Sequence, residues 1–451
     1  MKSFKRRWVI LSACLMMAGC IYNDVREVEP NQAFHGLSHV YQSGGSTLNV
    51  VFVHGMGHHP FGEPDLLTYQ LKIAEKLGFE ASTIHVGVDW GGHCQPLTQA
   101  FVDSGYGYFT EEEKDRLRAR LDGGQAICVL KINDVVVGFL GWQQFLIPDN
   151  GKTLNLFELS WDRATQRLQK TLLELDEDYK ETVELDDNLE PVEGGRDRES
   201  DRAGINSLLK RFVNQNLGDP AIYLGAYGDA IRRVVAEGLS TIAASAGPNG
   251  EHEYSIVSDS LGSRVVFDTL GCAVDSGHGK PARGCEYLRD EKRLVAETKA
   301  ALSAVASQTT KVFMNANQLP FLALSNVRPP ARNETEVTWL NRFPCEGGGP
   351  GLVRALVITK ALETPVQIVA FTDPNDALSY HLTERFRKKC THLDLDAERS
   401  VDFINVRIAN VKWTFGIFAN PNKAHSGGFR MNTNAINLLV DGYQPEQASP
   451  Q

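Results

Sequence analysis

Apolar and polar positions along this chain fall into short blocks. Residues 48–53 form an apolar run, broken only by Asn49, that stops at His54-Gly55-Met56-Gly57. Such a run, bounded by glycine, predicts a buried strand entering a loop. A helix follows, with Pro64 at its start, Leu67, Leu71 and Ala74 at helical spacing, and Gly78 as its stop. Residues 83–88, 127–132 and 154–161 read as further strands with irregular chain between them. Residues 163–175 read as a helix, and Ile205, Leu208, Leu209, Phe212 and Val213 as another that ends near Gly218. The whole of 90–245 therefore reads as an insertion or cap. Beyond it the alternation is cleaner: a strand at 254–257, helices at 261–270 and 293–307, and strands at 311–314, 366–371 and 403–408. Strands alternating with helices predict an α/β domain over residues 47–446. Its mostly parallel sheet would carry helices on both faces and its sites beyond the carboxyl ends of the strands.

Composition adds an exclusion. The 451 residues, 42% apolar and 23% charged, are ample for a folded core. The net charge of −10 is carried by one stretch, Glu174 to Asp201, where thirteen acidic residues face only Lys180, Arg196 and Arg198. A chain without a basic face is not built to neutralise phosphates, so nucleic acid is not an expected partner.

The amino terminus reads as targeting sequence. Lys2, Lys5, Arg6 and Arg7 precede an apolar run from Trp8 to Ala18, too short to span a bilayer as an ordinary helix. Residues 1–19 thus read as a signal peptide. Its end, Met17-Ala18-Gly19-Cys20, resembles the lipobox of bacterial lipoproteins, with Met17 in the position usually held by leucine. The resemblance implies a lipidated Cys20 and a bacterial cell envelope location, and Ile21 in place of an aspartate favours the outer membrane. Residues 20–46 are polar, hold Pro30, Gly36, Gly44 and Gly45, and read as a tether. Six further cysteines, Cys94, Cys128, Cys272, Cys285, Cys345 and Cys390, fit an oxidising compartment. Disulfides are the preferred reading, with Cys272 and Cys285 as the most local pair and buried free thiols as the alternative.

Candidate chemistry centres on Ser258-Asp259-Ser260-Leu261-Gly262, set between the strand at 254–257 and the helix at 261–270. A serine on such a turn projects its hydroxyl above the sheet, and small residues two before and two after let the backbone turn sharply. The motif resembles the G-x-S-x-G nucleophile elbow of the α/β-hydrolases, with Ser258 replacing the first glycine. His54-Gly55 after the early strand resembles that family's oxyanion loop. The resemblance implies Ser260 as nucleophile, with the backbone N–H groups of Met56 and Leu261 facing a developing oxyanion and His54 structural. A metal held by His54, His58 and His59 is the weaker alternative, since no matched carboxylate accompanies them.

The acid and base follow in the family's order. Thr372-Asp373-Pro374-Asn375-Asp376 comes straight after the strand at 366–371, and His425-Ser426-Gly427-Gly428 after the strand at 403–408. His425 is the expected base. Asp376 is the preferred acid, with Asp373, ahead of a proline, as the alternative and the expected turn former. The implied activity is that of a carboxylesterase or lipase acting on lipid or acyl esters near the anchoring membrane. Acyltransfer is the neighbouring alternative, and a silent hydrolase-like binding module is the alternative from another class. No cofactor is implied, because neither a phosphate loop nor a dinucleotide fingerprint occurs.

Overall fold

The computed structural model describes residues 25–55, 63–80, 94–104, 109–132, 135–147, 150–165, 218–245, 252–272, 292–322, 365–382, 401–410 and 424–445, with Phe61, Trp90, Leu168, Arg332 and Thr335 between them. The amino-terminal elements are β1 (Val25–Glu29), β2 (Phe34–His35), α1 (His39–Gln42), β3 (Thr47–Val53) and α2 (Pro64–Lys76). Next come β4 (Gln95–Pro96), α3 (Gln99–Asp103), α4 (Glu111–Asp122), β5 (Ala126–Ile132), β6 (Val135–Ile147) and β7 (Lys152–Ser160). After them stand α5 (Gly218–Leu224), α6 (Gly228–Ser245), β8 (Glu253–Asp259), α7 (Leu261–Gly271), α8 (Lys292–Gln308), β9 (Thr309–Asn315) and α9 (Leu319–Leu322). The chain closes with β10 (Val366–Thr372), β11 (Val401–Ile408), α10 (Ser426–Met431), α11 (Thr433–Asp441) and β12 (Gly442–Tyr443).

Among the described residues, ten strands make one sheet in the order β1-β11-β10-β9-β8-β3-β7-β6-β5-β4. The six from β11 to β7 run parallel. Antiparallel β6, β5 and β4 extend one side, and antiparallel β1 closes the other edge. The fold is thus α/β with a mostly parallel sheet. Because strand side chains alternate, the sheet feeds two cores. Val51 and Val53 of β3 pack with residues of α6, α7 and α8, such as Leu239, Val265 and Leu302. Leu48, Val50 and Phe52 face the opposite layer, with Tyr69 and Ile73 of α2 and Leu439 of α11. Helices therefore cover both faces, and strands buried on both sides read as continuous apolar runs.

Three expectations need correction. The stretch taken as a tether is folded from Val25 onward: β1 pairs with β11, β2 pairs with β12, and Phe34, Leu37 and Val40 are fully buried. Those apolar residues recur within polar, glycine-containing chain, which hides them from a compositional reading. The region 90–245 is not simply an insertion, since β5, β6 and β7 belong to the main sheet and α6 covers it. Strand β6 was expected as irregular chain; it is buried over most of its length and so lacks alternation. Gly138 and Gly141 further obscure it, yet a Cβ at Gly138 would meet the Ser160 carbonyl at 2.3 Å and one at Gly141 the Phe61 ring at 2.6 Å. Close packing requires glycine at both.

Among the described residues one disulfide is seen with both of its cysteines. Cys94 and Cys128 are joined, which ties β5 to the chain entering β4. Cys272 is also disulfide-bonded, and Cys285 lies outside the described residues. So do the leader, Cys20, the strand expected at 83–88, nearly all of both helices expected between 163 and 218, and the acidic stretch. Among the described residues, no helix is long and apolar enough to cross a membrane.

Candidate active site

Strand β8 is buried through Asp259, and the chain then turns at Ser260 into α7. Ser260 has φ 52° and ψ −122°, a left-handed backbone that a non-glycine residue adopts at a cost of about 1–3 kcal/mol. Surrounding contacts hold it there. The Ser260 N–H donates to the Asn315 carbonyl at the end of β9, 2.7 Å away. Gly262 fits against the end of β3, where a Cβ would lie 2.3 Å from the His54 carbonyl, and a Cβ on Gly55 would meet Ser260 Cβ at 2.7 Å. Ser258, in the first small position, is buried with its hydroxyl 3.0 Å from that of Ser263.

His425 caps the start of α10, and its ring reaches the turn. Its Nε2 lies 2.7 Å from Ser260 Oγ, and its Nδ1 lies 2.7 Å from Asp376 Oδ2. A carboxylate accepts only, so Nδ1 carries the proton and Nε2 is left to accept from the serine hydroxyl. The other Asp376 oxygen accepts the Leu378 N–H at 2.9 Å, which fixes the carboxylate. Ser260, His425 and Asp376 are therefore brought together in hydrogen-bonded sequence.

Asp373 has a different position. It accepts the N–H of Asn375 at 2.7 Å and that of Asn410, so it shapes its own turn and pins the chain after β11. Burial pushes its carboxyl above the ordinary value, with the hydrogen bonds from Asn375 and Asn410 opposing.

Other expected residues divide. His54 accepts the Trp161 N–H at Nε2, 2.8 Å away, and its Nδ1 lies 2.8 Å from the Gly55 carbonyl, to which it donates. With its ring stacked 4.8 Å from that of Trp161, His54 shapes the loop and leaves no nitrogen for a metal. His58, His59 and Met56 lie outside the described residues. Leu261 opens α7, so its N–H is one of those a helix leaves without an internal partner. Among the described residues, no group of three or more His, Cys, Asp or Glu side chains is arranged to hold a metal ion.

Two residues of the site were not expected from the sequence. Asp259, beside the serine, accepts from Arg430 Nε at 2.8 Å and Nη2 at 2.6 Å, and from Asn315 Nδ2 at 2.8 Å. Arg430 is buried and reaches Glu63 with its remaining arm at 2.9 Å. Burial works against its charge, but Asp259 and Glu63 outweigh that and hold its pKa above the ordinary arginine value. This network joins the helix behind His425 to the turn carrying Ser260. Gln318 is a further neighbour, with Nε2 3.5 Å from His425 Nε2.

Comparison with known proteins gives no match: no family model, curated protein or solved structure is significantly similar to this chain.

Proposed function

We propose that this chain is a serine hydrolase of the α/β-hydrolase type that cleaves acyl esters through Ser260, His425 and Asp376. The observation that carries the reading is the continuous hydrogen-bonded sequence of those side chains, two contacts of 2.7 Å each, on a backbone strained at the serine. In this reaction His425 Nε2 takes the hydroxyl proton as Ser260 Oγ attacks the ester carbon. Asp376 holds the imidazole in its productive tautomer and stabilises it when charged. The Leu261 N–H, at a helix amino terminus, faces the carbonyl oxygen as it gains negative charge, and Met56 N–H is its expected companion. Collapse expels the alcohol, which leaves with the proton from His425. Water, deprotonated by the same nitrogen, then attacks the acyl-enzyme and releases the acid and the free serine.

The targeting sequence adds location to the proposal: Cys20 is lipidated and the enzyme sits in a bacterial cell envelope, at the outer membrane. A fluorophosphonate probe tests the chemistry. Parent protein should label and Ser260→Ala should not, with both melting alike; absence of labelling in folded parent protein would overturn the proposal.

A further inference from the structure

We propose that the carboxyl-terminal edge of the sheet, which carries Ser260, faces the bilayer that holds Cys20, and that the substrate is the acyl ester of a lipid in that bilayer. The inference rests on the serine hydrolase reading above for its substrate, and on the lipidated Cys20 proposed there together with strand direction for its geometry.

Strand β1 runs antiparallel to β11, with Val25 opposite Ile408 and Glu29 opposite Asn405. Ile408 is the last residue of β11, and β11, β10, β9 and β8 are parallel. Val25 is therefore at the edge where β8 gives way to Ser260 and β10 to Asp376. A parallel β1 would have brought the chain in at the opposite edge. Five residue steps separate Cys20 from Val25, a reach of at most about 18 Å. Crossing to the far edge means passing strands such as the seven-residue β8, about 23 Å long, so the lipid stays on the catalytic side. From β1 to β8 is four strand spacings, which sets Ser260 about 19 Å across the sheet from the anchor's entry point.

Exposed apolar side chains occupy the same edge. Val25 begins β1, and Val135 opens β6 beyond the pairing of Phe139 with Ser160, so it overhangs the end of β7. Tyr380 is held by its N–H to the Asn317 carbonyl at 2.7 Å, just past the end of β9. Met431 ends the short helix that starts beside His425. Single exposed apolar residues are ordinary on any surface; their common edge, shared with the anchor, fits an interfacial contact.

Two measurements on the full lipidated chain, reconstituted in phosphatidylglycerol and phosphatidylethanolamine vesicles, test this. The first compares Cys20→Ser with the parent on a soluble p-nitrophenyl ester and on a fluorogenic diacyl lipid in the vesicles. The variant should keep its rate on the soluble ester and lose roughly tenfold or more on the lipid, since tethering supplies the effective concentration. The second incorporates a fluorescent amino acid at Tyr380, or at the exposed Asn150 beside the amino end of β7, and reads quenching by spin-labelled lipid. Position 380 should be quenched and position 150 should not. Equal lipid turnover with and without the anchor, or equal quenching at both positions, overturns the inference and leaves the hydrolase reading intact. Quenching at 380 without Ser260-dependent turnover of the soluble ester removes that reading, and the lipid substrate with it.

Discussion

Asp373 and Asp376 show how little separates an aspartate that meets a histidine from one that forms a turn. Both follow β10, yet only Asp376 meets His425, while Asp373 is consumed by the N–H groups of Asn375 and Asn410. Asp376→Asn should lower ester turnover by roughly four orders of magnitude, because an amide in that position favours the wrong imidazole tautomer. Asp373→Asn should keep most turnover and change stability instead. Since burial raises the Asp373 pKa above its unfolded value, its contribution to stability is present below the ordinary carboxylate pKa and is lost as pH rises through the raised one. The stability difference between parent and Asp373→Asn, read by denaturation across the acid range, should shift against the parent as pH rises. Turnover lost in Asp373→Asn and kept in Asp376→Asn would reverse the assignment. That Ser260, Asp376 and His425 come together was legible because each follows a buried strand of one parallel sheet. Asp259 and Arg430 were not, since 171 residues separate them and neither carries a local sign of its partner.

Helix α10 is short and glycine-rich, and what seats it is a charge. Arg430 joins it to Asp259 at the end of β8 and to Glu63 ahead of α2. Arg430→Met should cost about 3–5 kcal/mol, because the carboxylate of Asp259 stays buried without its counterion. Urea denaturation measures the loss, and unchanged stability would remove the network from the account of how the His425 helix is held. The parallel strands, β5 and the helices α2, α7 and α8 were readable from the sequence for simple reasons, whereas α4 and α6 were not. Strands β3, β5 and β7 to β11 are apolar runs with clear ends, and α2 carries its own proline start and glycine stop. Strand β6 escaped because burial on both faces erased its alternation and glycines interrupted it. The amino-terminal elements escaped because β2 is two residues long and gains its order from β12, more than four hundred residues away.

Across the whole molecule, the disulfide and the chain ends determine what holds the sheet's margins. Cys94–Cys128 closes a loop of 34 residues at the antiparallel side, and reducing it should cost about 2–4 kcal/mol without dissolving the parallel core. Because a reductant would also open the Cys272 bond, melting curves of the parent and of the Cys94→Ala, Cys128→Ala double variant measure this, and coincident curves would show that the bond adds nothing. The α/β class was visible from strand and helix alternation in the carboxyl half, whereas the strand order was not, because register and adjacency are long-range properties. The other margin has a consequence in time. Strands β1 and β2 both take partners that come after residue 400, so neither has a place to pair until residues 401–443 exist. At roughly 5–20 residues per second of synthesis, β2 waits on the order of twenty to eighty seconds for β12. His425 arrives in that same final stretch, so a chain cut short lacks both the cover for its open edge and the imidazole that meets Ser260.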